Sequence, residues 1–236
     1  MTPNISVCMA VKNGGAYLFE QVSSILPQLA GEDELVISDD HSEDDSLKII
    51  QCINDPRIRL IQNPESGLIS NFENALRSAQ GTYIFLADQD DVWVPDKVAT
   101  TMGYLKTYDL VVTDCMVVNE NLELIKESFY SVNKSRKGIF RNFLRNSYMG
   151  CCMAFHCKIL KKALPFPEKI SMHDQWIGLI SEMYFSVQFI DKKLIYHRRH
   201  LHNASTSSNR SNASLVDKIS DRMHVLKNVI VNAYAI

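Results

Sequence analysis

The chain has 236 residues, 46% of them hydrophobic and 22% charged, with a formal net charge of −2. That balance is ordinary for a globular protein, and the length suits one large domain with or without a small appendage. It carries no global electrostatic pull toward nucleic acid, and no apolar run approaches the roughly 18 residues of a membrane span.

Ile5–Val11 reads as a buried first strand, followed by a turn at Lys12-Asn13-Gly14-Gly15. The apolar spacing of Leu18, Val22, Ile25, Leu26 and Leu29 predicts a helix over 16–29, ended or kinked by Pro27. Glu34–Ser38 is a second strand running into Asp39-Asp40-His41-Ser42, and Ser42–Asp45 has the pattern of a capping box opening a helix over 46–53. Ile58–Ile61 is a third strand. Leu68–Ala79 is a helix, closed by Gly81 in the role of a C′ glycine. Thr82–Trp93, TYIFLADQDDVW, is a buried strand that stops abruptly at Asp88, Asp90 and Asp91.

Strand and helix thus alternate over the first ninety residues, which predicts a parallel sheet with helices on both faces. Both acidic clusters then fall at the carboxyl edge, where open α/β sheets bind ligands. Neither GxGxxG nor a Walker loop is present. Crowded carboxylates repel unless a cation joins them, and hard oxygen ligands favour Mg²⁺ or Mn²⁺. Such a metal usually shares its coordination with a substrate phosphate. The acids are read as a metal–diphosphate site, with a solvated acidic turn as the plain alternative.

Further along, Pro95 opens a helix to about Thr107, Asp109–Asp114 is a strand, and 116–125 is another strand or a hairpin. The polar stretch 126–138 reads as a mobile loop. Ile139–Asn146 is a short helix, Met149–Phe155 a strand, and His156–Leu164 a helix. Met172-His173-Asp174-Gln175-Trp176 opens another helix, which sets Asp174 at a positive dipole end. Val187–Ile190 and Lys193–Tyr196 read as two strands about a turn at Asp191-Lys192. The basic run His197-Arg198-Arg199-His200 follows, then a Ser/Asn-rich loop and an amphipathic helix over 215–233. Six cysteines without a CxxC pair suit buried reduced thiols, and Met1–Asn4 lacks the features of a signal peptide, so a cytoplasmic setting is expected.

Taken in order, these motifs resemble a family 2 glycosyltransferase of the GT-A fold, over most of the chain from Ile5 to about Ser205. The resemblance rests on Ile5–Gly14, on Val36–Ser42, on Asn71–Leu76 with Gly81, on Asp88-Gln89-Asp90-Asp91-Val92-Trp93, on His173-Asp174-Gln175-Trp176, and on Tyr196–Asn203. The acid motif has the form found in rhamnosyl- and glucosyltransferases of bacterial surface polysaccharides. Lys12 stands where that family often has an aromatic residue, and His173 where it often has Glu.

The resemblance implies an α/β, Rossmann-like domain over 1–205, with a nucleotide-binding half of about 1–115 and an acceptor-binding half of about 116–205. Residues 206–236 form a loop and helix outside it. It implies an inverting enzyme that moves a sugar from a UDP- or dTDP-sugar to a hydroxyl of a lipid-linked saccharide, in the cytoplasm or at the inner face of the membrane. Asp174 is the implied general base. Asp90 is the implied main ligand of Mn²⁺ or Mg²⁺, with Asp91 in support and His200 as a further ligand. Ala10, Asn13, Asp40, Asp88 and Arg199 are the implied donor contacts, with Asp40 on the base. A sugar nucleotidyltransferase and a non-catalytic nucleotide-sugar-binding subunit are the alternatives. The donor sugar, the acceptor and the oligomeric state are not legible.

Overall fold

In the computed structural model the described residues are 4–168, 170, 172–201 and 203. The loop and helix expected after Asn203 lie outside them. The described strands form a single curled sheet flanked by helices, the GT-A arrangement.

Its first half is built as the alternation predicts. β1 (Ile5–Val11), α1 (Leu18–Ile25), β2 (Glu34–Asp39), α2 (Ser46–Ile53), β3 (Ile58–Gln62), α3 (Leu68–Ser78) and β4 (Tyr83–Asp88) follow in order. The strands lie β3-β2-β1-β4, all parallel. Every residue of β1 and β2 is buried, which is why both read as near-continuous apolar runs. α1 is shorter than its apolar spacing suggests, because Pro27 turns Leu26–Gln28 into a 3₁₀ segment. Gly81 is not a left-handed cap. Its hydrogen-only side chain is needed because a Cβ there would sit 2.6 Å from the Ser6 nitrogen.

The register brings the strand ends level. Ala10 pairs with both Ser38 and Asp88, and Val11 pairs with Asp39. The acidic ends of β2 and β4 therefore flank the end of β1 on either side, one strand spacing of about 4.8 Å away in each direction.

The second half is mixed. β5 (Val92–Trp93), α4 (Lys97–Leu105), β6 (Leu110–Val118), β7 (Leu124–Lys126), α5 (Phe129–Asn133), α6 (Ile139–Leu144), β8 (Met153–His156), α7 (Leu160–Ala163), α8 (His173–Tyr184) and β9 (Val187–Arg198) complete the order. β8 is antiparallel to both β4 and β6, while β6 and β9 are parallel. β6 and β7 form the hairpin allowed by the sequence.

Four expectations change. The two strands expected about Asp191-Lys192 are one strand, because β6 keeps pairing across that point and the extra residues are absorbed as a register shift between Ile190 and Lys193. The stretch read as a mobile loop holds β7's end and α5. Asp114 anchors it, accepting from Ser128 Oγ at 2.6 Å and from the Tyr130 amide at 3.0 Å. The strand expected from Met149 begins only at Met153, after a 3₁₀ turn at Gly150–Cys152. The helix expected over 156–164 is a 3₁₀ turn followed by the short α7.

Candidate active site

β4 delivers Asp88 to the cleft edge in register with Ala10, and Asp90 and Asp91 follow in the turn before β5. Asp90 is nearly buried, and its Oδ2 receives His200 Nε2 at 2.8 Å and Asn203 Nδ2 at 2.9 Å. The two ends of this contact are 110 residues apart in sequence. Burial and the neighbouring Asp91 push the Asp90 carboxyl above its usual range, although His200 works in the other direction. Burial, followed by Asp91 and Asp90, drives Asp88 higher still. Two acids held in a site that disfavours their charge are suited to a cation as partner. With a carboxylate and an imidazole meeting at one point, the donor set fits a divalent metal held by Asp90 and His200, with Asp88 beside it.

Asp91 turns away from the cleft. It is fully buried, and its Oδ1 accepts from His197 Nδ1 and from the Arg198 amide, each at 3.0 Å. Burial works against both charges. Even so, His197 and the Arg198 amide hold Asp91 below the usual carboxylate range, and Asp91 lifts His197 to about 9. Asp88, Asp91, Cys151 and His197 present potential ligand atoms within 4.8 Å of one another. Within this inner group the His197–Asp91 ion pair already neutralises one acid, and hydrogen bonding to Cys152 with burial raises the Cys151 thiol well above its usual range. The outer set on Asp90 is the one suited to a hard cation.

Arg198 is not available to a diphosphate. It is buried, and its guanidinium is engaged by Glu20, by the Asp90 carbonyl at 2.8 Å and by the Glu120 carbonyl at 2.5 Å, with the Tyr17 ring stacked at 4.6 Å. It fixes the backbone of Asp90 from behind. Arg199 donates its amide to Val118, and its side chain lines a separate cavity between β6, α5 and the segment before Gly150.

Asp40 follows β2, its amide bonded to the Val11 carbonyl. Its buried carboxylate accepts from Asn63 at 3.2 Å and the Gly67 amide at 3.1 Å, and pairs with Lys12 Nζ at 3.0 Å. Burial opposes the charge, but Lys12 and these donors together keep the carboxyl below its ordinary value. Ala10 lies in the core of β1. Asn13, in a left-handed turn with φ 50°, spends its side-chain carbonyl on the Glu43 amide at 2.8 Å, so it shapes the loop beside Asp40.

Asp174 sits in the first turn of α8 and is buried. One oxygen accepts from the Gln175 amide at 2.5 Å and from Asn146 Nδ2 at 3.4 Å, and the other from the Gly150 amide at 3.1 Å. Burial raises its carboxyl to about 6, with those hydrogen bonds pulling the other way. The Gly150–Cys152 turn carries Asp174 to the acids of β4: Gly150 bonds Asp174, and Cys151 lies within the group that includes Asp88. Asp174 is close enough for its charge to raise Asp88. His173, the residue before it, is neutral, since burial lowers it to about 3, and its ring stacks on Phe72 at 3.9 Å.

Asp40, Asp88, Asp90 and Asp174 therefore share the carboxyl edge of one sheet. Trp93 and Trp176 are packed in the core, as large aromatics at element ends usually are. Two contributors carry no sequence signal as site residues. These are Asn146 and Lys97, which is fully buried with Nζ on the Cys151 carbonyl at 2.7 Å and 4.5 Å from the Trp93 ring centre.

Residues 6–164 match the family described as Glycosyl transferase family 2, and the chain belongs to that family. It is a glycosyltransferase. Among similar proteins, UDP-Glc:alpha-D-GlcNAc-diphosphoundecaprenol beta-1,3-glucosyltransferase WfaP of Escherichia coli is 25% identical over 233 residues, covering 98% of this chain and 88% of that protein. The chondroitin synthase of Escherichia coli is 32% identical over 123 residues, covering 51% of this chain and 18% of that protein. TarS 1-349 of S. aureus, solved with UDP-GlcNAc, superposes with a TM-score of 0.74 at 19% identity, over 97% of this chain and 66% of that one. Glucosyl-3-phosphoglycerate synthase from Mycobacterium tuberculosis, solved with Mn²⁺ and UDP, superposes with a TM-score of 0.62 at 18% identity, over 98% and 80%.

Proposed function

We propose that this protein is an inverting, metal-dependent glycosyltransferase that moves a sugar from a UDP- or dTDP-sugar to a hydroxyl of a lipid-linked saccharide in bacterial surface polysaccharide synthesis. The observation that carries the reading is Asp174. It is a buried carboxylate at a helix start, held near neutrality in pKa, and close to the acids at the end of β4.

The reaction has two demands. The departing nucleoside diphosphate gains negative charge, and the attacking hydroxyl must lose a proton. A divalent ion bound by Asp90 and His200, when present, supplies positive charge to the departing diphosphate. Arg198 and Asn203 hold Asp90 in place through its carbonyl and carboxylate, and Asn203 Oδ1 accepts the His200 amide at 2.7 Å. Asp174 accepts the hydroxyl proton. A pKa of about 6 leaves it mostly ionised at pH 7 yet far more basic than an ordinary Asp. The Gly150 and Gln175 amides fix its two oxygens so that it stays oriented.

Asp40 accepts the imide N–H of uracil or thymine, a donor that other bases do not offer at that position. In the free protein Lys12 occupies this carboxylate, so the base shares it with Lys12 or displaces it. WfaP is named for a UDP-linked donor and a diphosphoundecaprenol-linked acceptor, which supports the donor and acceptor classes assigned here. No helix among the described residues is long and apolar enough to cross a membrane.

The experiment is Mn²⁺-dependent hydrolysis of a panel of nucleotide sugars. Slow hydrolysis of UDP- or dTDP-sugars that Asp90→Ala abolishes is the expected result. A protein that binds no nucleoside diphosphate with Mn²⁺ present would remove the enzyme reading.

A further inference from the structure

A partly open cavity of about 170 Å³ lies beside the site, lined by Lys126, Arg145 and Arg199 together with Phe129, Val132 and Met149. Among the described residues that line it, none is acidic. At roughly 30 Å³ per water it holds about five or six waters, too few for a nucleotide sugar but enough for one phosphate-sized group. Three cations gathered on one small space stand out in a chain whose net charge is −2.

The cavity also touches both halves of the proposed chemistry. Arg145 precedes Asn146, and Met149 precedes Gly150; both of those neighbours donate to Asp174. Arg199 lies between Arg198, which holds the Asp90 carbonyl, and His200, which meets the Asp90 carboxylate. His197 closes the inner wall. A group seated here is therefore adjacent to the base and to the Asp90 end of the cleft, which is the position required of an acceptor. Arg145 directs Nε to the Asn133 side chain at 3.1 Å and Nη2 to the Val132 carbonyl at 3.5 Å, both of them neutral partners among the described residues. The surface outside continues in kind. Between Leu124 and Arg145 the sequence carries six Lys or Arg and one Glu, and Phe140, Leu124 and Ile125 are exposed.

We propose that this cavity receives the phosphate or diphosphate ester of an amphiphilic acceptor, with Lys126, Arg145 and Arg199 on the anion and Phe129, Val132 and Met149 against the first carbons of its apolar chain. The proposal rests on the transferase reading above and assigns its acceptor subsite. It also moves Arg199 from the donor diphosphate to the acceptor. Cationic side chains suit phosphate oxygens through charge-assisted hydrogen bonds, Arg through a planar fork. The apolar wall separates an ester from a free inorganic ion.

The test is calorimetric titration of the full chain with farnesyl diphosphate, both alone and with the donor site filled by UDP and Mn²⁺. Farnesol and inorganic pyrophosphate are the comparison ligands. Farnesyl diphosphate should bind once, whether or not UDP is present, and more tightly than either comparison ligand. Arg145→Gln and Lys126→Gln should each weaken it about tenfold, the loss of one charge-assisted contact, with UDP affinity unchanged. Wild-type affinity in both variants, or farnesol or pyrophosphate binding as tightly as the ester, would overturn the proposal. So would displacement of farnesyl diphosphate by UDP. Failure of UDP to bind would sink the donor reading, while the titration without UDP still decides the cavity.

Discussion

Asp174 gives the sharpest prediction, because its proposed role and its effect on stability oppose each other. Burial raises its carboxyl from the ordinary 3.8 to about 6. A folded-state pKa above the unfolded one means that the native protein binds the proton more tightly. This contribution to stability is fully present below about pH 4 and is lost as pH rises through about 6. At about 1.4 kcal/mol per pKa unit, the ionised form costs the native state about 3 kcal/mol above pH 7 relative to the protonated form. Asp174→Asn cannot titrate. Its stability relative to wild type should therefore increase by about 2.5 kcal/mol between pH 4 and pH 7.5, whatever the offset from changed hydrogen bonds to Gly150 and Gln175. For a chain of this length that is a relative Tm gain of about 5–10 °C. Thermal unfolding of both proteins across this pH range measures it. Parallel stability profiles would refute the argument, since a carboxylate that titrates alike in both states cannot be the buried, raised base described above.

Other predictions follow from neighbouring residues. Asp40→Ala should weaken UDP binding about tenfold or more while leaving CDP binding little changed, read by calorimetry, because only the uracil imide donates to this carboxylate. Gly81→Ala should destabilise the fold by about 1–3 kcal/mol in urea melts, since the Cβ would meet Ser6 and Ile5 backbone atoms at 2.6–2.8 Å, and backbone yields poorly. His200→Ala should lower Mn²⁺ affinity, measured by electron paramagnetic resonance, by more than the roughly 10–100-fold typical of an indirect partner.

The first half of the sheet is legible in the sequence because its signals are local. Buried parallel strands are continuous apolar runs, the helices between them keep their period, and strand ends stop at acids. Given that topology, Asp40, Asp88 and Asp90 fall on one edge without further information. The second half depends on long-range partners. Asp191-Lys192 looks like a turn in isolation, and only the continued pairing with β6 makes it a bulge in one strand. The stretch over 126–138 has no period because α5 is five residues long. Its order comes from Asp114, and from Glu182, which accepts the Gly138 amide at 2.8 Å. The same limit applies to the site. Nothing in DQDD says which acid turns inward, and the choice is made by His197, 106 residues away. Four basic residues in a row look interchangeable, yet the end of β9 and the two residues after it separate them: His197 faces Asp91, Arg198 clamps the Asp90 backbone, Arg199 lines the small cavity, and His200 meets the Asp90 carboxylate.

The central claim is that one cleft holds a metal-dependent donor site at Asp90 and a separate base at Asp174. Mn²⁺-dependent UDP binding, measured beside sugar transfer in Asp90→Ala and Asp174→Asn, tests it most directly. Asp90→Ala should lose UDP binding, whereas Asp174→Asn should keep UDP affinity within about twofold and lose transfer by about 10²–10⁴-fold. Loss of UDP binding in Asp174→Asn, or transfer by that variant at the wild-type rate, would contradict it.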